Sequence, residues 1–144
     1  MNKIKRFEDL DVWQKARELC KDIYPIITRF PFNRDFALRD QVNKSSGSIM
    51  DNIAEGFDRD GTREFLNFLS ISKASASELK SQLYRAADRN HITAEELETY
   101  LTKIEVIGKS IGGFMKYLRT CEMRGKIITD FRITNDNQKS GIRN

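Results

Sequence analysis

The stretch FLNFLSISKASASELKSQLYRA, Phe65 to Ala86, runs for 22 residues without a glycine or a proline. Within it Phe65, Leu69, Ser72, Ala76, Leu79, Leu83 and Ala86 recur on alternating steps of four and three. That spacing lays small and apolar side chains along one stripe of an α-helix, whereas a strand would alternate every second residue. The same pattern extends outward on both sides. Before it come Val12, Ala16, Leu19, Ile23, Ile26 and Phe30, then Leu38, Val42, Ser45, Ile49 and Ile53. After it come Leu97, Leu101, Ile104, Gly108, Ile111, Met115 and Leu118. Four such stripes have the seam geometry of helix bundles.

The punctuation between the stripes agrees. Phe30-Pro31 separates the first helix from the second, since a residue preceding proline is pushed out of the α region. Gly56 is expected to cap the end of the second helix, and Thr62 the start of the third, with Glu64 in its first turn. Thr93-Ala94-Glu95-Glu96 reads as a capping box opening the fourth. Pro25 is dissonant: inside the first helix it removes a hydrogen bond and predicts a kink in the last turns. Short connections favour antiparallel neighbours, so the expected fold is all-α, an up-down-up-down four-helix bundle. It divides into a basic N-terminal arm over 1–8, the bundle over 9–123, and a basic, partly disordered tail over 124–144. Weak alternation over 127–134 is compatible with a short strand.

At 144 residues, 39% hydrophobic and 32% charged, the chain has the composition of one globular domain with a core. No apolar run approaches the roughly 20 residues of a membrane span, and the basic start runs into Glu8 and Asp9 rather than an apolar signal stretch. A cytoplasmic protein is expected. Cys20 and Cys121 stand alone, outside any metal-binding spacing, and are read as reduced thiols. Of the net charge of +4, residues 1–6 hold +3 and residues 124–144 another +3, leaving −2 for 7–123. A basic excess suggests an anionic partner, but in this body a basic face has to come from arrangement or assembly.

Phosphate-loop, dinucleotide, zinc-protease and nucleophile-elbow motifs are all missing from the sequence. The single histidine, His91, falls in the turn before the fourth helix and is read as structural. Glu55, Asp58, Asp60 and Glu64 crowd the second connection. Hard divalent cations favour carboxylates so grouped, but Arg59 and Arg63 interleave and no calcium loop follows, so a charge-compensated turn is the preferred reading. No cofactor, metal or catalytic group is expected.

Gln41, Ser48, Asn52 and Glu55 share a polar face of the second helix, matched by Ser75, Glu78, Gln82 and Arg85 on the third. Folding about residues 57–61 would set Glu55 opposite Arg63 and Gln41 opposite Ser77 or Glu78, forming either an inter-helix polar network or a solvated face. Second apolar rows, Trp13, Cys20 and Ile27 on the first helix and Tyr100, Ile107, Phe114 and Cys121 on the last, suit either the protomer core or subunit contacts. Phe57 and Tyr84, close to Arg59 and Arg85, are the candidate rings for base stacking.

Several blocks together carry a resemblance: Phe7-Glu8-Asp9-Leu10-Asp11-Val12-Trp13-Gln14-Lys15-Ala16, Phe30-Pro31, Gln41, and Ser48-Ile49-Met50-Asp51-Asn52-Ile53-Ala54-Glu55-Gly56. Glu64-Phe65, Phe68-Leu69 and Ala74-Ser75-Ala76-Ser77-Glu78-Leu79 complete it. Over roughly 7–120 the chain resembles the bacterial four-helix bundle family first described as products of intervening sequences in 23S ribosomal RNA genes. A distant relative is the accessory variability determinant of diversity-generating retroelements. The resemblance implies a homopentameric ring, a proposed association with RNA or DNA as an accessory factor, and no established catalysis. The residues expected to meet nucleic acid are Lys3, Lys5, Arg6, Arg59, Arg63, Lys73, Lys80, Arg124 and Lys126. The alternatives are a protein-binding adaptor using the second apolar rows and a metal-dependent enzyme at the second connection.

Overall fold

In the structure, a computed structural model that describes residues 4–123, four helices follow one another: α1 (Asp11–Thr28), α2 (Phe36–Asp58), α3 (Thr62–Asp88) and α4 (Ala94–Met123). Single 3-10 turns, Phe7–Asp9 and Phe32–Arg34, precede α1 and α2. Cross-helix bonds show the directions. Lys15 reaches Ser110, Lys103 reaches Asp22 and Arg29 reaches Glu96, so numbers rise on α1 as they fall on α4. Ser48–Ser75 and Gln41–Arg85 show the same for α2 and α3, and Lys80–Glu105 is the level pair between α3 and α4. Each helix runs antiparallel to its sequence neighbour, and α4 closes the ring against α1 along the sparsest of the four seams. The fold is an all-α four-helix bundle.

The stripes form the core. All seven stripe positions of α3 are buried, as are Leu38, Val42, Ser45, Ile49 and Ile53 of α2. On α1 the stripe holds through Ile26, but α1 stops at Thr28 and Phe30 lies on the following loop, 75% exposed. Pro25 does not end α1; it sits inside the helix on its exposed side. The capping box opening α4 is present: Thr93 Oγ1 accepts from the Glu96 amide at 3.1 Å, and Glu96 Oε1 accepts from the Thr93 amide at 2.9 Å.

Two expected caps are corrected. Gly56 does not end α2, which continues to Asp58; it is buried in the helix, where a Cβ would lie 2.6 Å from Phe68 Cβ and 2.9 Å from Phe65 Cδ1. Glycine is needed there for close approach of α3, not for a left-handed turn. The left-handed residue is Gly61, at φ 89°, and it caps α3, so Thr62 lies inside the first turn, buried. The expected strand over 127–134, the tail over 124–144 and residues 1–3 lie outside the described residues.

Candidate nucleic-acid interface and the polar seam

The polar faces of α2 and α3 meet as a network. Ser48 and Ser75 hydroxyls lie 2.8 Å apart, and Asn52 Nδ2 donates to both the carbonyl and the hydroxyl of Ser48, at 2.8 and 2.9 Å. Ser45 donates to Glu78 Oε1 at 2.9 Å, Arg85 to Gln41 Oε1 at 2.6 Å, and buried Ser72 to the Ile49 carbonyl at 2.7 Å. The register differs from the sequence expectation by more than one turn: Gln41 meets Arg85 rather than Ser77 or Glu78. Glu55 bridges to Arg59, the residue just past the end of its helix, at 3.0 Å, rather than to Arg63. The cause is the glycine notch. With α2 running to Asp58 and Phe65 and Phe68 seated against Gly56, α3 is held further along α2 than a symmetric turn would put it. Gln82, also on this seam, is buried, and its Oε1 has no hydrogen-bond partner among the described residues.

The expected basic residues separate into two places. Lys5, Arg6, Arg59 and Arg63 gather at the end of the bundle where α1 begins, α2 turns into α3 and α4 ends. Carboxylates share that end and consume much of the charge. Arg6 bridges Glu8 at 3.6 Å, and Arg59 lies over the Phe68 ring at 5.1 Å while bonded to Glu55. Asp9 accepts from the amides of Lys5 and Arg6 at 3.0 and 3.2 Å, and these bonds, that of Lys5 foremost, hold its carboxyl below the usual range. Lys3, Arg124 and Lys126 fall outside the described residues.

Lys73 and Lys80 sit elsewhere, in the groove between α3 and α4, and there the structure adds Lys109. Gly108 and Gly112 remove side chains from the α4 wall, and a Cβ at Gly112 would lie 3.5 Å from Lys73 Nζ. Lys80 is bridged to Glu105 at 3.0 Å; the Lys73 and Lys109 ammonium groups have no hydrogen-bond or ion-pair partner among the described residues. Sequence reasoning missed Lys109 because nothing local marks it as the neighbour of Lys73. The signal available was the glycine pair at 108 and 112, one turn apart on the same face.

The second apolar rows take part in packing within the protomer, with Trp13, Cys20, Tyr100 and Phe114 half-buried. Ile27 and Ile107 are 2% and 3% exposed. Trp13 packs edge-on against Phe7 at 5.1 Å, and Phe114 against Phe65 at 5.5 Å. Cys20 donates to the Ser46 carbonyl at 3.2 Å, and Tyr100 to the Asp22 carbonyl at 3.4 Å. Phe57, 4% exposed, is likewise a core ring and unavailable for stacking, while Tyr84 is half exposed.

At the opposite end of the bundle His91 has a structural place. Its ring stacks on buried Phe32 at 5.0 Å, and its Nε2 lies 2.8 Å from Asp35 Oδ2. Asp35 also caps α2 through the Leu38 amide and pairs with Arg89; the His91 and Arg89 bonds lower its carboxyl pKa. Beside it Arg29 grips Glu96 through two nitrogens at 2.6 and 2.7 Å, drawing that carboxyl down to about 2. Among the described residues no three of His, Cys, Asp or Glu are grouped closely enough to hold a metal ion, and the acidic residues at the α2–α3 turn form no such group. No described helix is long and apolar enough to cross a membrane.

The sequence model of the 23S rRNA-intervening sequence protein family matches residues 8–113, the span from the 3-10 turn before α1 to the glycines of α4. The chain belongs to this family. A similar solved structure is a protein of unknown function from the S23 ribosomal protein family of Bacteroides thetaiotaomicron. It is 24% identical, with a TM-score of 0.66 over 73% of this chain and 98% of that one, a likeness of fold. Among curated proteins none matches the chain.

Proposed function

We propose that the protein is a non-enzymatic, self-associating accessory factor of the cytoplasm that binds RNA or DNA through the α3–α4 groove. The observation that carries this reading is the meeting of Lys73, Lys80 and Lys109 over a wall opened by Gly108 and Gly112. The Lys73 and Lys109 ammonium groups, unpaired among the described residues, suit a phosphate backbone, which approaches as a line of charges and releases counterions on contact. One such groove on a body of near-neutral charge is a weak site. Copies in a homopentamer, the assembly the family resemblance implies, would present it repeatedly, and linked weak sites gain from effective concentration.

The test measures mass by light scattering during size exclusion on protein purified without nuclease, together with its 260/280 absorbance ratio. Binding of a labelled duplex is then followed from about 50 to 200 mM salt. An assembly that carries nucleic acid, with affinity falling steeply as salt rises, is the expected result. Replacing both Lys73 and Lys109 with glutamine should flatten the salt slope by about two. A clean monomer, or salt-insensitive binding, overturns the reading.

A further inference from the structure

Three of the five large rings exposed among the described residues, Tyr24, Phe30 and Phe36, lie at one corner of the bundle; the other two, Tyr84 and Tyr117, are on α3 and α4. Tyr24 on α1 and Phe36 at the start of α2 are 59% and 60% exposed and line the same groove of about 470 Å3, with Phe30 on the loop between them. The Phe36 ring lies under the Arg39 guanidinium at 5.0 Å, and Arg39 in turn donates to the Asn33 carbonyl and to Asp40, which also lines the groove. Arg34 lines the groove with no side-chain partner among the described residues. Past Tyr24 the groove continues along α1 and α2 to Lys21 and Arg17. Among the described residues Lys21 is engaged only by exposed Glu18, at 3.3 Å. None of this was legible as a unit, because Tyr24 and Phe36 belong to different helices and neither lies in a basic run.

We infer that this α1–α2 groove is a stacking site for single-stranded nucleic acid, with unpaired bases on Tyr24 and Phe36 and phosphates along Arg34, Lys21 and Arg17. The inference rests on the nucleic-acid reading above and narrows it to unpaired strands. Alternation of exposed rings with cations is what a single strand requires, since every base has a face to stack and every linkage a charge to neutralise. A duplex offers no free base faces and gains nothing from the rings. The groove lies on the side of the bundle away from the α3–α4 lysines, so the two sites are separable by mutation.

The experiment compares a labelled 12-nucleotide oligothymidylate, an abasic backbone of equal length and a duplex, by fluorescence anisotropy on the full chain. The intact strand should bind at least about tenfold more tightly than the abasic one, and Tyr24→Ala with Phe36→Ala should remove that preference while leaving duplex binding unchanged. Both side chains are exposed, so the fold should survive, as far-UV circular dichroism will show. Tyr24→Trp gives a second readout: its emission should be quenched by the intact strand and not by the abasic one. Equal affinity for the two strands, or loss of self-association in the alanine variant with the base preference intact, overturns the inference while the lysine groove stands. Absence of binding to all three probes overturns the nucleic-acid reading itself.

Discussion

Gly47 and Gly56 stand nine positions apart on α2, and alanine should act on stability with opposite sign at the two. In a helix interior alanine gains about 1 kcal/mol over glycine from the smaller backbone entropy loss. At Gly47 nothing opposes that gain: the nearest atom to a new Cβ is Asp51 Oδ2, at an ordinary contact distance of 3.9 Å. At Gly56 the Cβ would fall 2.6 Å from Phe68 Cβ, an atom fixed to the α3 backbone, and 2.9 Å from the ring of buried Phe65. Neither can swing aside, so α3 has to move. Overpacking of this kind costs roughly 1–3 kcal/mol, and a clash on a Cβ belongs at the upper end. Gly56→Ala should therefore lose about 2 kcal/mol net and Gly47→Ala gain about 1, shifts of roughly 6 °C down and 3 °C up in Tm for a domain of this size. Urea and thermal melts at one fixed protomer concentration separate the two, the fixed concentration being needed because association shifts Tm. A Gly56→Ala protein as stable as the parent would refute the close approach of α2 and α3 and the register argued from it.

Three further outcomes follow from the same packing. Because Arg29 holds the folded Glu96 carboxyl at about 2 rather than the usual 4.5, its contribution is complete above pH 4.5 and is lost as pH falls through 2. The gap in urea midpoint between the parent and Glu96→Gln should therefore close across that window, and a constant gap down to pH 2 would count against it. Asp35→Ala removes the α2 cap together with the Arg89 and His91 bonds and should cost about 1–2 kcal/mol in urea denaturation; an unchanged midpoint would show these bonds to be idle. Leu69→Ala, at a fully buried site, should cost about 2–5 kcal/mol, against less than about 0.5 for Val106→Ala, which is half exposed; similar losses would contradict the assignment of the core.

The family resemblance and the candidate site were legible to different depths. The Asn52-Ile53-Ala54-Glu55-Gly56 block marks the family in sequence, yet its members act differently in the fold. Asn52 ties the α2–α3 seam through Ser48, Glu55 bridges Arg59, and Gly56 makes room for α3. Arg59 and Arg63, four positions apart in sequence, lie among carboxylates at one end of the bundle. The open lysine groove joins Lys73 to Lys109, 36 positions away.

The helical repeat is legible from residue spacing alone. The four helices, their buried stripes and the Thr93–Glu96 box follow from backbone geometry, which acts over three or four residues and needs no partner. The stagger of α3 on α2, the inward turn of Ile27 and Ile107, and the two grooves where cations and rings from different helices meet arise only when the helices pack. A helix fixes which side chains share a face, but how far it slides and turns against its neighbour is set by the shapes in contact, here the fit of Phe65 and Phe68 to Gly56.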